Sequence, residues 1–169
     1  MRVTKLSAAT RQLDSAITML FGDGDLVSVY TLAGAASTIA SDLIDPDRSW
    51  DLAIQQDNGL TKKEYFAILR KGQNFLKHAN NDPDSVMELD PNDLISLMFV
   101  ASLNIGEICS TKSVELSYFQ FWYAACRTKE FGPKSELVPF AVDMFGRLDG
   151  VPFEQQREVG ISKWQSGPP

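Results

Sequence analysis

The chain has a single histidine, His78, and the side chains around it are of the types that bind a phosphate or a metal ion. Asn74 lies one helical turn before it, and Lys71 and Arg70 lie further back. At about 100° per residue, a helix places Asn74 and His78 about 40° apart on one face, with Lys71 joining them. The surrounding stretch is polarised. Residues 61–78 set Lys62, Lys63, Arg70, Lys71 and Lys77 against Glu64 alone, and Asp82, Asp84, Glu88, Asp90 and Asp93 follow with no base among them. The basic part could hold an anion. The acidic part could hold a cation: His78, Asp82 and Asp84 offer one nitrogen and carboxylate oxygens, a donor set that suits zinc, manganese or iron. Each reading has a plainer counterpart. Opposite charges across a turn neutralise one another for a modest gain, and aspartates around a proline commonly make turns and caps.

Other chemistry is sparse. The sequence has no glycine-rich phosphate loop, no G-x-S-x-G elbow, no paired histidines and no paired cysteines at metal spacing. Cys109 and Cys126 each sit beside apolar neighbours in an expected helix and read as buried free thiols. A disulfide between them stays open, although nothing resembles a secreted scaffold.

The element that must position His78 is a helix over residues 62–79. Thr61 followed by Glu64 is a capping box, so the helix starts at Lys62. Tyr65, Ile68, Leu69, Phe75, Leu76 and Ala79 fall at three- and four-residue spacing and make one apolar stripe. Asn80, Asn81 and Pro83 end it. Lys71, Asn74 and His78 lie away from the centre of that stripe, so the imidazole faces solvent, a partner or a cleft.

The remaining elements are also helical. Residues 4–21 form a first helix, broken by Gly22-Asp23-Gly24. Asp25 caps a second that runs to about Leu43, with the small side chains of LAGAAST at its centre, and the short link makes the two antiparallel neighbours. Residues 44–59 are irregular, with a short turn at Trp50, Ala53 and Ile54 covering one end of the core. Asp90-Pro91 starts a helix that is apolar almost all round, and Asn104 within it needs a hydrogen-bond partner. Ser113 opens a helix dense in aromatics, from Tyr118 to Tyr123; it reads as core, with a π-stacking surface for a base or an amphipathic ligand as the alternative. Gly132-Pro133 ends it, and residues 135–148 make the last clear helix, with Pro139 in its first turn. No run of alternating strands or internal repeat is present. The expected fold is all-α: a single-domain bundle of about six helices over residues 1–149, then a partly irregular tail over 150–169 whose Gly-Pro-Pro end frays.

Composition bounds the function. A chain of 169 residues fits one domain with a sizeable core. Apolar content of 44% and charged content of 22% are ordinary for a globular protein. A net charge of −6 argues against broad, sequence-independent nucleic-acid binding, which needs many phosphate contacts. It leaves room for a local basic groove. No apolar run approaches the ~20 residues that span a bilayer, and the N-terminus has no apolar core of a signal peptide. The expected location is the cytoplasm, away from membranes.

The run QNFLKH, residues 73–78, resembles the motif of the HEPN family, small helical bundles of bacterial toxin, defence and nucleotide-linked systems. That motif has an arginine, then a polar residue that is often asparagine, then a histidine four residues on. Asn74 and His78 match the last two positions, and the two opening helices around LFGDGD look like that family's. The resemblance implies His78 as an acid–base group on an RNA phosphodiester, with Asn74 orienting it. The arginine position is Gln73, which cannot stabilise developing phosphorane charge, and Arg70 one turn earlier points elsewhere on the helix. The implied relative is therefore degenerate, binding a ligand or partner rather than cutting RNA. The run NFLKHANNDPD also resembles one in uncharacterised bacterial proteins, which brings no function. Together these observations lead to a non-enzymatic binding or interaction module that needs no cofactor and works through a protein partner or by self-association as a dimer. The alternatives are a HEPN-like protein binding nucleotide or RNA at Arg70, Lys71, Asn74 and His78, and a metal-assisted enzyme using His78, Asp82 and Asp84.

Overall fold

Side-chain caps set where the main helices begin. Thr4, Asp25, Thr61, Asp90 and Ser113 accept the backbone N–H of Ser7, Ser28, Glu64, Asn92 and Leu116 respectively. Each cap satisfies one of the donors that a helix start leaves unpaired. The computed structural model describes residues 1–78, 82–132 and 134–167, and over these it is all-α. In order come α1 (Lys5–Phe21), α2 (Leu26–Leu43), α3 (Trp50–Asp57), α4 (Lys62–Leu69), α5 (Lys71–Lys77), α6 (Pro91–Ile108), α7 (Val114–Cys126), α8 (Leu137–Phe145) and α9 (Phe153–Gln165). Short 3-10 turns stand at Pro46–Arg48 and Thr128–Glu130. Ala79, Asn80 and Asn81, expected to complete and stop the His78 helix, lie outside the described residues, as do Pro133 and the two terminal prolines.

Among the described residues nine helices replace the expected six or so, for three physical reasons. The expected turn at Trp50 is a helix in its own right, capped by Ser49. The expected 62–79 helix is two helices, because Arg70 leaves helical geometry at φ −101° and ψ 10°. The expected irregular tail is α9, and it is tied to the core by hydrogen bonds that no apolar pattern announces. Trp122 Nε1 donates to the Gln156 carbonyl at 2.8 Å, Tyr118 Oη donates to the Gly160 carbonyl at 2.6 Å, and the Arg157 guanidinium donates to the carbonyls of Leu20 and Gly24. Gly160 permits this docking. A Cβ there would stand 2.5 Å from the Phe21 ring, closer than any side chain tolerates.

One contiguous core unites these elements. α1 packs along α2, α2 along α6, and α7 against α1, α6 and α8. Leu13, Ile17, Leu20 and Phe21 meet Leu94, Ile95 and Met98 and the α7 residues Phe119 and Trp122, all fully buried. Ala33, Ala36 and Ala40 let α2 approach closely. α2 is also the one described helix long and apolar enough, by length and composition, to cross a membrane, where the sequence reading found none; its alanines are packed into this core. α3, α4 and α5 lie outside that core and bury little. Asp51 is the sole buried residue of α3 and Tyr65 that of α4.

Candidate functional site

The break at Arg70 rearranges the residues expected to form the site. Lys71 and Asn74 are exposed on α5, and His78 is exposed as its extended C-cap at φ −127° and ψ 114°. The imidazole is therefore outward-facing, but it does not share a continuous helical face with Asn74. Gln73 turns the other way. It is 2% exposed and packs on α2, where its Nε2 donates to Thr38 Oγ1 at 3.0 Å. The Arg70 guanidinium lies 4.1 Å from the centre of the Phe66 ring, a cation–π contact, and its buried Nε has no hydrogen-bond partner among the described residues. Asp82 and Asp84 are exposed, and among the described residues no three histidine, cysteine or acidic side chains converge as metal ligands. Of the thiols, Cys126 is buried and Cys109 half-buried. Burial pushes the Cys126 thiol up to about 12.

The polar centre of the molecule is one the sequence did not point to: Asp51. Its side chain is 4% exposed. Tyr65 Oη donates to its Oδ1 at 2.8 Å, and Ser41 Oγ and Asn104 Nδ2 donate to its Oδ2 at 2.7 and 2.8 Å. Asn104 in turn accepts the Trp50 backbone N–H at 3.0 Å. This is the partner that Asn104 needs. One carboxylate thus joins α2, α3, α4 and α6. Burial and the Asp51 charge drive the Tyr65 phenol far above its ordinary range, so it stays a donor.

Above this network lies an open groove of about 980 Å³. α3 supplies Trp50, Ile54 and Asp57 along one side, and α4 supplies Tyr65 and Leu69. α6 lays down Phe99, Val100 and Leu103, and Tyr123 of α7 with Glu130 and Phe131 closes the far end. Phe99 and Tyr123 stack with ring centres 4.0 Å apart and planes 9° from parallel, and Phe131 meets Phe99 edge-on at 5.8 Å. The polar tips of these walls are already engaged: Tyr65 with Asp51, and Tyr123 Oη with Glu130 Oε2 at 3.1 Å. A ligand therefore meets mainly aromatic and aliphatic side chains, with Asn58, Ser96 and Ser135 among them. Among the described residues the lining holds no histidine, cysteine, lysine or arginine. The volume falls at the upper end of the roughly 300–1,000 Å³ of ligand sites. A second hollow, at the start of α7 beside Lys112, Tyr118 and Met144, is only about 210 Å³.

Asp51 had a sequence signal, but an ambiguous one. An acid in the first turn of a helix ordinarily complements the helix dipole at the surface. Phe99 and Tyr123 read as core; Tyr123 is buried, while Phe99 is half-buried and lines the groove. Comparison of the chain with protein-family models, with curated proteins and with solved structures returned no match.

Proposed function

We propose that the protein is a non-catalytic binding module whose aromatic groove receives an apolar segment of a partner protein. The observation that carries this reading is the groove itself: about 980 Å³, walled by Trp50, Tyr65, Leu69, Phe99 and Leu103, and held in shape from beneath by the Asp51 hydrogen bonds. A groove with fixed walls binds without first having to order them. The exposed group of Lys71, Asn74 and His78 supports RNA or nucleotide binding less, because its members are spread from the start of α5 to its extended C-cap, with Gln73 turned inward. Nile red, a neutral dye that brightens in apolar sites, tests the groove. Its emission rises with the natural protein and falls to background in Ala53→Trp, which fills the groove from α3, and in Leu103→Arg, which places a charge in it. Undiminished emission from either folded variant would overturn the reading.

Self-association is the second reading, favoured by Phe140 on α8, 66% exposed, and Val114 at the start of α7, 55% exposed. Light scattering after size-exclusion chromatography gives a dimer mass if this reading holds, and a monomer mass at high concentration removes it.

A further inference from the structure

The groove is acidic as well as aromatic. Asp57 and Glu130 are its charged lining residues, and among the described residues no base accompanies them. Beneath the floor, Asp51 is a third carboxylate, and each of its hydrogen-bond donors, Tyr65, Ser41 and Asn104, is neutral. Neither Asp51 nor Asp57 takes part in any ion pair among the described residues. Two bases beside the groove are already engaged. Arg127 Nε sits 3.7 Å from Glu130 Oε1, while its other nitrogens donate to Asn92 and to the Cys126 carbonyl. Arg70 is held over Phe66. Carboxylates in an apolar trough with aromatic walls favour a cation, by Coulomb attraction and by the ring quadrupoles.

Resting on the groove reading above, we propose that the segment this site takes is cationic. Apolar side chains fill the trough against Phe99, Leu103 and Tyr123, and a lysine or arginine beside them meets Asp57 and Glu130. A second copy of this chain fits less well, because it carries a net charge of −6 to an acidic rim. The occupant is thus a partner protein of opposite charge. Asp57 and Glu130 are the residues that choose it.

The test uses one fluorescent amphipathic helical peptide, with leucines at three- and four-residue spacing, made in lysine, glutamine and glutamate versions and titrated by anisotropy. The lysine version binds about five- to tenfold more tightly than the glutamine version at low salt, the size expected of a few exposed charge pairs. The gap narrows as salt is added. In the Asp57→Asn, Glu130→Gln double variant the gap between the lysine and glutamine versions closes. Equal affinities for the lysine and glutamine versions in the natural protein would overturn the charge preference and leave the groove standing. Failure of all three peptides, with Nile red also dark, would instead remove the groove reading. Peptide binding that competes with dimer formation would assign the groove to a second copy and overturn the partner proposed here.

Discussion

Asp51 shows what a single residue does in this molecule. A buried carboxylate costs several kcal/mol to desolvate unless donors surround it, and Tyr65, Ser41 and Asn104 are those donors. Because α3 and α4 bury little else, the network fixes the position of both groove-bearing helices. Asp51→Ala leaves three donors without an acceptor, so the expected loss is about 3 kcal/mol or more. Tyr65→Phe removes one hydrogen bond to a charged group and costs about 1.5–3 kcal/mol. Urea unfolding measures both, and a loss under about 0.5 kcal/mol for Asp51→Ala would show that the network does not hold these helices. The sequence announced one half of this arrangement. An asparagine inside an apolar helix demands a partner, so Asn104 was readable. The partner was not, because nothing local distinguishes Asp51 from an acid that merely faces a helix dipole in solvent.

At the scale of elements, the break between α4 and α5 decides which side chains reach the groove. A continuous helix from Lys62 would hold one apolar stripe. With the break at Arg70, Tyr65 turns to Asp51 while Gly72 and Gln73 turn to α2, and Ile68 is left 64% exposed. Gly72 is the close approach that makes this possible, since a Cβ there would lie 2.5 Å from the Tyr30 ring. That ring is fixed in the core and cannot swing away as a flexible chain would. Gly72→Ala is expected to cost about 1–3 kcal/mol as an overpacking change. Hydrogen exchange would then speed in α5 and not in α1, α2 or α6; uniform acceleration would mean that α5 is no separate unit. Periodicity could find the caps and the long helices, but this junction has neither proline nor glycine at its hinge residue. α9 was hidden for a different reason. It docks through carbonyls of Gln156 and Gly160, and Gly160 in the sequence looks like a breaker although it is the residue that lets the helix touch Phe21.

For the whole molecule, the core that unites the helices also stores protons. All four tyrosines and Cys126 are buried, at 5% exposure or less. Burial raises the phenols of Tyr30 and Tyr123 from an ordinary value near 10 to about 12, and those of Tyr65 and Tyr118 further. The Cys126 thiol rises from near 9 to about 12. Each of these groups binds its proton more tightly folded than unfolded. Their contribution is therefore complete below pH about 9 and falls as pH climbs from there to about 12 and, for Tyr65 and Tyr118, beyond. Once the unfolded chain can ionise, each group withdraws about 1.4 kcal/mol per pH unit. Five such groups together approach the roughly 5–15 kcal/mol that holds a domain folded. The protein is thus expected to unfold cooperatively in alkali between pH about 10 and about 12, before its phenols titrate in place. Tyrosinate absorbance and far-ultraviolet circular dichroism, followed in one titration, should change together. Phenolate absorbance that develops near pH 10 over an unchanged helical signal would show that the tyrosines reach water in the native state. The walls of the groove, Tyr65 and Tyr123 among them, would then be far looser than a preformed binding site requires.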